Sequence, residues 1–276
     1  MDQILKEISS KLKINIETTE QLKGSTDSIV LLINKKYILK IDEPSFIAET
    51  IKFLENTNSK YFTELLYYNE EKTFLVYRYI EGDKLDNLDG IDVFEFLKTL
   101  YEITTSYPVS KEQCGHVAYK FDSWIEYLRD DMKYCKENIP CLGEVDFQLI
   151  NLEINNLTRF DFDKILMHGD FGVHNFIFKD NKLAGVIDPQ PIVGDSLYDF
   201  FYACVSNVSI LKKISMDQIF TIPNAPKSKM KSMFLITLYN RIQRCIKHHP
   251  DDLQFYLDLF NCVKSEDYHY YINNFI

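Results

Sequence analysis

The sequence predicts an α+β fold in two unequal parts, a small antiparallel-sheet lobe followed by a larger helical one. Three observations predict it. Between Thr18 and Ile80, short runs rich in β-branched and aromatic residues alternate with polar turns, the texture of successive strands. After Asp83, apolar residues recur at three- and four-residue spacing over 92–106, 121–138 and 145–158, the period of helices with one buried face. A second β segment then interrupts the helices. Ile165–Phe178 and Leu183–Pro189 are apolar runs joined by Lys179-Asp-Asn-Lys182, which supplies the residues of a hairpin turn.

Taken in order, Ile4, Leu5, Ile8 and Leu12 predict an amphipathic helix over 2–13. Thr18–Lys23, Ile29–Ile33 and Tyr37–Ile41 predict three strands, separated by a loop at 24–28 and a tight turn at 34–36. Pro44 opens the next helix, which carries Phe46, Ile47, Ile51, Phe53 and Leu54. Two further strands are predicted over 61–68 and 73–80, with Asn69-Glu-Glu-Lys72 between them. Pro108 sets a sharp end to the 92–106 helix, because the residue before proline avoids the helical region. Beyond the hairpin, helices are expected over 195–206, 229–248 and 251–264, with a short element at 216–220 and a last short helix over 268–276.

Composition narrows the class. The chain has 276 residues, enough for one large domain or two lobes sharing a cleft. A net charge of −10 argues against nucleic acid or an anionic membrane as partner. The chain has no apolar run long enough to span a membrane, and the N-terminus lacks a signal-peptide pattern. The six cysteines form no C-x-x-C pair, which fits reduced thiols in a cytoplasmic protein. A monomer or weak dimer is expected.

The chemistry concentrates at His168-Gly-Asp-Phe-Gly-Val-His-Asn175 and Ile187-Asp-Pro189. A carboxylate, an amide five residues on and a second carboxylate after the next strand are what phosphoryl transfer to a hydroxyl requires. A His-Gly-Asp triplet alone is also an ordinary turn, and His168 suits a structural role. His168, Asp170 and His174 are spaced as zinc ligands would be. That would make a metal-dependent hydrolase, a reading that leaves Asn175 and residues 194–199 without a role.

These motifs, with Gly194-Asp-Ser-Leu-Tyr-Asp199, resemble the signature of the aminoglycoside phosphotransferase family, relatives of the protein kinases. Choline, homoserine and fructosamine kinases share that superfamily. The resemblance covers nearly the whole chain, with its specific motifs in 37–82 and 165–199. It implies a protein-kinase-like two-lobed fold, with a nucleotide-binding lobe over 1–82 and a catalytic and acceptor-binding lobe over 83–276. It implies Asp170 as catalytic base, Asn175 and Asp188 as Mg²⁺ ligands and Asp199 as a buried brace. Lys40 would reach the phosphates of ATP or GTP, supported by Glu49, with Glu55 a lesser alternative partner. Ser25 and Thr26 would cover the phosphates. Tyr77 would be the gatekeeper beside the base, with the Arg78 carbonyl and the Ile80 N–H meeting the base edge. The lysine, the glutamate, both aspartates and the asparagine are all present, which disfavours a non-catalytic nucleotide-binding protein.

The acceptor is read from charge. Residues 1–82 carry 11 Lys+Arg and 13 Asp+Glu, and residues 83–276 carry 20 and 28. The acidic excess therefore falls in the acceptor-binding part, where Asp170 and Asp195 are expected to line the cleft. A negative cleft concentrates cations. An aminoglycoside acceptor, as in antibiotic-resistance enzymes, fits best, then choline or an amino sugar. Homoserine fits less well, since its carboxylate would want an arginine that the sequence does not place.

Overall fold

The computed structural model describes residues 1–22, 28–116 and 119–265. The N-terminal part is built on one antiparallel sheet of order β1-β2-β3-β5-β4. Its strands are β1 (Thr19–Leu22), β2 (Ile29–Ile33), β3 (Tyr37–Ile41), β4 (Leu65–Tyr68) and β5 (Phe74–Arg78). The β2–β3 turn places Asn34 and Lys35 at φ 50° and 55°. Left-handed residues of this kind match the twist of a tight hairpin.

Strand alternation sorts the two faces. Leu31, Ile33, Leu39, Phe74 and Val76 pack against Ile8 of helix α1 (Asp2–Leu12). On the other face Leu75 packs with Ile47 and Ile51 of helix α2 (Pro44–Asn56). Lys40 is paired in register with Leu75, so it shares that inner face. The two last strands are shorter than the 61–68 and 73–80 expected. Residues 61–64 are used instead for turns and side-chain bonds, such as the Thr63 hydroxyl donating to the Arg78 carbonyl.

The chain crosses to the helical part at Gly82 and Asp83. Asp83 exchanges both backbone hydrogen bonds with Phe178 at 2.8 Å. Gly82 has φ 146°, and a Cβ there would lie 2.4 Å from the Phe178 carbonyl oxygen. The close approach of the two backbones therefore requires glycine.

Helices α3 (Val93–Thr105), α4 (Trp124–Glu137) and α5 (Glu144–Leu157) follow the predicted periodicity. Asp92 and Ser123 cap the first two, accepting from backbone N–H groups at 3.1–3.2 Å. Beyond the catalytic segment come α6 (Leu197–Val205), α7 (Val208–Leu211), α8 (Met216–Ile219), α9 (Lys227–His248) and α10 (Leu253–Ser265). α9 packs against α4, α5, α6 and α10, so it is the central strut of this part. Trp124 is core, with its ring stacked on Tyr127 at 5.0 Å. Among the described residues, no helix is long and apolar enough to cross a membrane. The helix expected over 268–276 lies outside the described residues.

One expectation is corrected in detail. The hairpin exists as β9 (Phe176–Lys179) and β10 (Lys182–Val186), with Asp180 and Asn181 at positive φ in its turn. The preceding run does not belong to it. β8 (Ile165–Met167) pairs with β11 (Ile192–Gly194), inside a four-stranded sheet of order β7-β6-β11-β8. The other two strands are β6 (Cys114–His116) and β7 (Tyr119–Phe121). These strands are three residues each, too short to show a period of two in sequence.

Candidate active site

The loop after β8 carries the chemistry. His168 is fully buried against Phe53, Phe62 and Phe171, and its Nε2–H donates to the Ile187 carbonyl at 3.0 Å. Burial lowers its pKa to about 4, so the ring is neutral and structural. Gly169 has φ 79°, and a Cβ there would lie 1.9 Å from the Gln190 carbonyl oxygen. Its N–H donates to both carboxylate oxygens of Asp199 at 3.2 Å. Asp199 is wholly buried on α6, and burial raises its pKa to about 7. It braces the loop as expected.

Asp170 projects from this loop as a buried carboxylate with both oxygens engaged. Oδ1 accepts from Tyr202 Oη at 3.1 Å and Arg244 Nη1 at 3.2 Å. Oδ2 accepts from His174 Nε2 at 2.9 Å and Asn175 Nδ2 at 3.0 Å. Burial pushes the carboxyl pKa up, but the His174 hydrogen bond and the electrostatic pull of His174 and of the Arg244 guanidinium outweigh it. The net effect holds Asp170 below the usual carboxylate range, ionised as a base must be.

Asn175 is buried and spends its amide N–H groups on Asp170, so Oδ1 is the atom that could coordinate a metal. Its carbonyl accepts from Ile187 N–H at 3.0 Å, tying the loop to the segment that ends in Asp188. Asp188 has φ 62° and takes Lys40 Nζ on Oδ1 at 2.5 Å. Among the described residues, no three His, Cys, Asp or Glu side chains are grouped as metal ligands. His168 is turned away onto the Ile187 carbonyl, so the three-ligand zinc arrangement of a hydrolase is not formed.

The expected Lys40–Glu49 pair is corrected. Lys40 contacts Asp188 and, at 3.8 Å, Asp42. Glu49 is buried on α2 and faces His116 Nδ1 of β6 at 3.6 Å. Burial raises its pKa, against the pull of His116 and Lys52. The cause is helix phase: α2 turns Glu49 toward the helical part, while β3 aims Lys40 along the cleft floor. Glu55 is no substitute, since it accepts from the Tyr68 hydroxyl at 3.0 Å.

A cavity of ≈ 290 Å³ opens between the two parts, lined by Val30, Ile38, Tyr77, Ile80, Ile177 and Ile187, with Lys40 and Asp188 at one end. Tyr77 and Ile80 are thus where a nucleotide base would lie. Arg78 is not: its carbonyl accepts from Thr63, and its side chain pairs with Glu64 at 2.8 Å on the surface. Strand alternation turns Arg78 away when it turns Tyr77 in. Ser25 and Thr26 lie outside the described residues.

The acceptor side also differs from expectation. Asp195 does not present a free carboxylate. It is buried, pairs with the partly buried Lys229 at 2.7 Å, and accepts from Leu197 N–H at the start of α6. The residue that sequence reasoning missed is Arg244, on α9, 74 positions from Asp170. Its signal was the basic end of the helix, Arg241-Ile-Gln-Arg-Cys-Ile-Lys-His-His249, which holds no acid.

Two lobes, a strand lysine over a cleft and an Asp–Asn–Asp set beneath it define a kinase-like phosphotransferase. Residues 19–217 match the phosphotransferase enzyme family (APH), and the chain belongs to that family. No curated protein sequence matches the chain. Among solved structures, it is similar to aminoglycoside phosphotransferase APH(4)-Ia, at 14% identity and a TM-score of 0.64, covering 95% of this chain and 97% of that one. It is also similar to a GDP and kanamycin complex of APH(2″)-IIIa, at 14% identity and a TM-score of 0.57, covering 96% and 99%. A streptomycin–ATP complex of APH(2″)-IIa gives 18% identity and a TM-score of 0.56, covering 94% and 95%. At these identities the likeness is one of fold.

Proposed function

We propose that the chain transfers the γ-phosphoryl group of ATP or GTP to a hydroxyl of a small molecule. The observation that carries this reading is two linked pairs: Lys40 on Asp188 in the cavity lining, and Asn175 on Asp170, joined through the Ile187 N–H on the Asn175 carbonyl. The acceptor oxygen bonds to the γ-phosphorus, the bond from that phosphorus to the β–γ bridging oxygen breaks, and the hydroxyl proton passes to Asp170. Asn175 Oδ1 and the Asp188 carboxylate are hard oxygen donors suited to Mg²⁺. Bound there, Mg²⁺ would neutralise charge on the β- and γ-oxygens. Lys40 orients the phosphates, and Tyr77 and Ile80 flank the base.

The compounds bound in two of the similar structures, kanamycin and streptomycin, support an aminoglycoside acceptor. So does the acidic excess of residues 83–276. The charge beside Asp170 supports a different class, because Asp195 is neutralised by Lys229 and a guanidinium stands at the base. Six cysteines joined by no disulfide among the described residues support a reducing, cytoplasmic setting. The test is nucleotide consumption with Mg²⁺ across a panel of hydroxylated acceptors. Acceptor-dependent release of the nucleoside diphosphate is expected, and its absence in wild type together with an absence of nucleotide binding would refute the reading.

A further inference from the structure

Asp170 is saturated. An ionised carboxylate offers about four lone-pair directions. Tyr202, Arg244, His174 and Asn175 take two on each oxygen, at 2.9–3.2 Å. An incoming hydroxyl finds no acceptor until one donor leaves. Tyr202 and Asn175 are buried in α6 and the loop. Arg244 and His174 are the accessible donors, with 38% and 49% of their side chains exposed. Of the two, Arg244 always carries a charge, so leaving Asp170 breaks an ion pair that only another anion replaces.

Arg244 is tethered to make that exchange. Its Nε donates to Asn240 Oδ1 at 3.1 Å, and Asn240 is anchored on Asp131 at 3.0 Å. The guanidinium lies over the Tyr202 ring at 5.2 Å. The guanidinium is a rigid planar fork, so it leaves Asp170 as one unit, sliding over the Tyr202 face as its Nε bond to Asn240 gives way. Arg241 stands one turn back on the same helix. His249 has its pKa lowered by burial and then by Arg241, His248 and His174, with Asp252 opposing.

We propose that Arg244 selects an acceptor bearing an oxyanion, a carboxylate or phosphate, beside the hydroxyl to be phosphorylated. Binding of that oxyanion draws Arg244 off Asp170 and frees Oδ1 for the hydroxyl. This rests on the phosphotransferase reading and names its substrate class. A cationic acceptor leaves Arg244 on Asp170 and meets like charge beside it.

The experiment is steady-state turnover of the full chain with Mg–ATP and Mg–GTP. The acceptors are L-homoserine and gluconate for carboxylates, glucose 6-phosphate for phosphates, glucose and homoserine methyl ester as counterparts, and kanamycin and choline as cations. An oxyanion acceptor should exceed its counterpart by about tenfold or more in kcat/KM, the scale of one charged contact. Arg244→Ala should raise KM for that acceptor by about tenfold with a smaller change in kcat, and Arg244→Lys should recover part of the loss. A purely structural role would lower kcat or stability and leave the oxyanion preference intact. Preference for kanamycin, choline or a neutral acceptor, or a preference unchanged in Arg244→Ala, overturns the inference and leaves phosphoryl transfer standing. If no acceptor is used, nucleotide hydrolysis by water decides. Arg244→Ala should raise it several-fold by opening Asp170, and no rise overturns the inference. Absence of any nucleotide consumption in either protein overturns the phosphotransferase reading as well.

Discussion

Lys40 Nζ lies 2.5 Å from Asp188 Oδ1, an ion pair that joins β3 to the segment after β10 across 148 positions of sequence. It sets the lysine proposed to hold the phosphates and a proposed metal ligand side by side in the lining of the cavity. Lys40→Ala should raise nucleotide KM by roughly tenfold or more, the scale of a lost charge-assisted hydrogen bond. Asp188→Ala should abolish Mg²⁺-dependent turnover. Glu49 is not part of this pair, so a Lys40/Glu49 double-mutant cycle in denaturant unfolding should be additive within about 0.5 kcal/mol. A Glu49/His116 cycle should couple, and coupling seen with Lys40 instead would mean the lysine has a second partner.

Asp170→Asn should leave nucleotide affinity nearly unchanged and lower kcat by roughly 10²-fold or more, the scale of general-base assistance. The variant keeps the shape of the site and the bonds from Tyr202 to Oδ1, so misfolding is a poor explanation for such a loss. Turnover like wild type would remove Asp170 from the base role.

What was legible in the sequence was what local contacts decide. β2, β3, α2 and the helices from 92 to 157 follow from period and capping within a few residues. His168, Asp170 and Asn175 fall within eight consecutive positions, so one motif held the proposed base and its neighbours. The partners that tune the site were hidden because tertiary packing chooses them. Lys40 was matched to Glu49 by family likeness, yet helix phase gave Glu49 to His116. Asp195 read as an acid in the cleft until Lys229, 34 positions on, neutralised it. Summed charge over 83–276 likewise concealed one guanidinium at the base, and short-range electrostatics depends on the nearest charges rather than on the sum.

His168 makes a stability prediction with a definite sign. Its pKa falls from the ordinary 6.5 to about 4 in the folded state, chiefly by burial. The unfolded chain therefore binds more protons between those values, and this contribution to stability is full above pH 6.5 and lost as pH falls toward 4. Its size is on the order of 3 kcal/mol. Asp199 acts oppositely, because its folded pKa is raised to about 7 and its contribution is lost as pH rises. The wild-type profile blends the two, so the informative quantity is a difference. His168→Gln should cost more stability at pH 7.5 than at pH 4.5 in urea unfolding. An equal cost at both would mean the ring is charged inside the fold.

Tyr77 bears on the choice of nucleotide. It lines the cavity beside Ile38 and Lys40, where strand alternation directs it inward. Burial, and then the charge of Asp188, hold its hydroxyl pKa above the ordinary value, so at neutral pH it is a protonated donor. Guanine presents a carbonyl oxygen at the ring position where adenine presents an amino group. A bulky donor in a narrow cavity therefore tolerates the first better than the second. GTP should serve as donor with kcat/KM at least comparable to that of ATP. Tyr77→Ala should widen the cavity, remove the donor and shift the ATP-to-GTP ratio toward ATP by roughly tenfold, the scale of one shape or hydrogen-bond contact in a specificity pocket. The shift should appear mostly in KM, because the base is remote from the transferred phosphoryl group and its contacts are the same in ground and transition states. Failure of the wild-type protein to use GTP, or a ratio unmoved by Tyr77→Ala, would take the gatekeeper role away from this residue while leaving Asp170 and Lys40 in theirs.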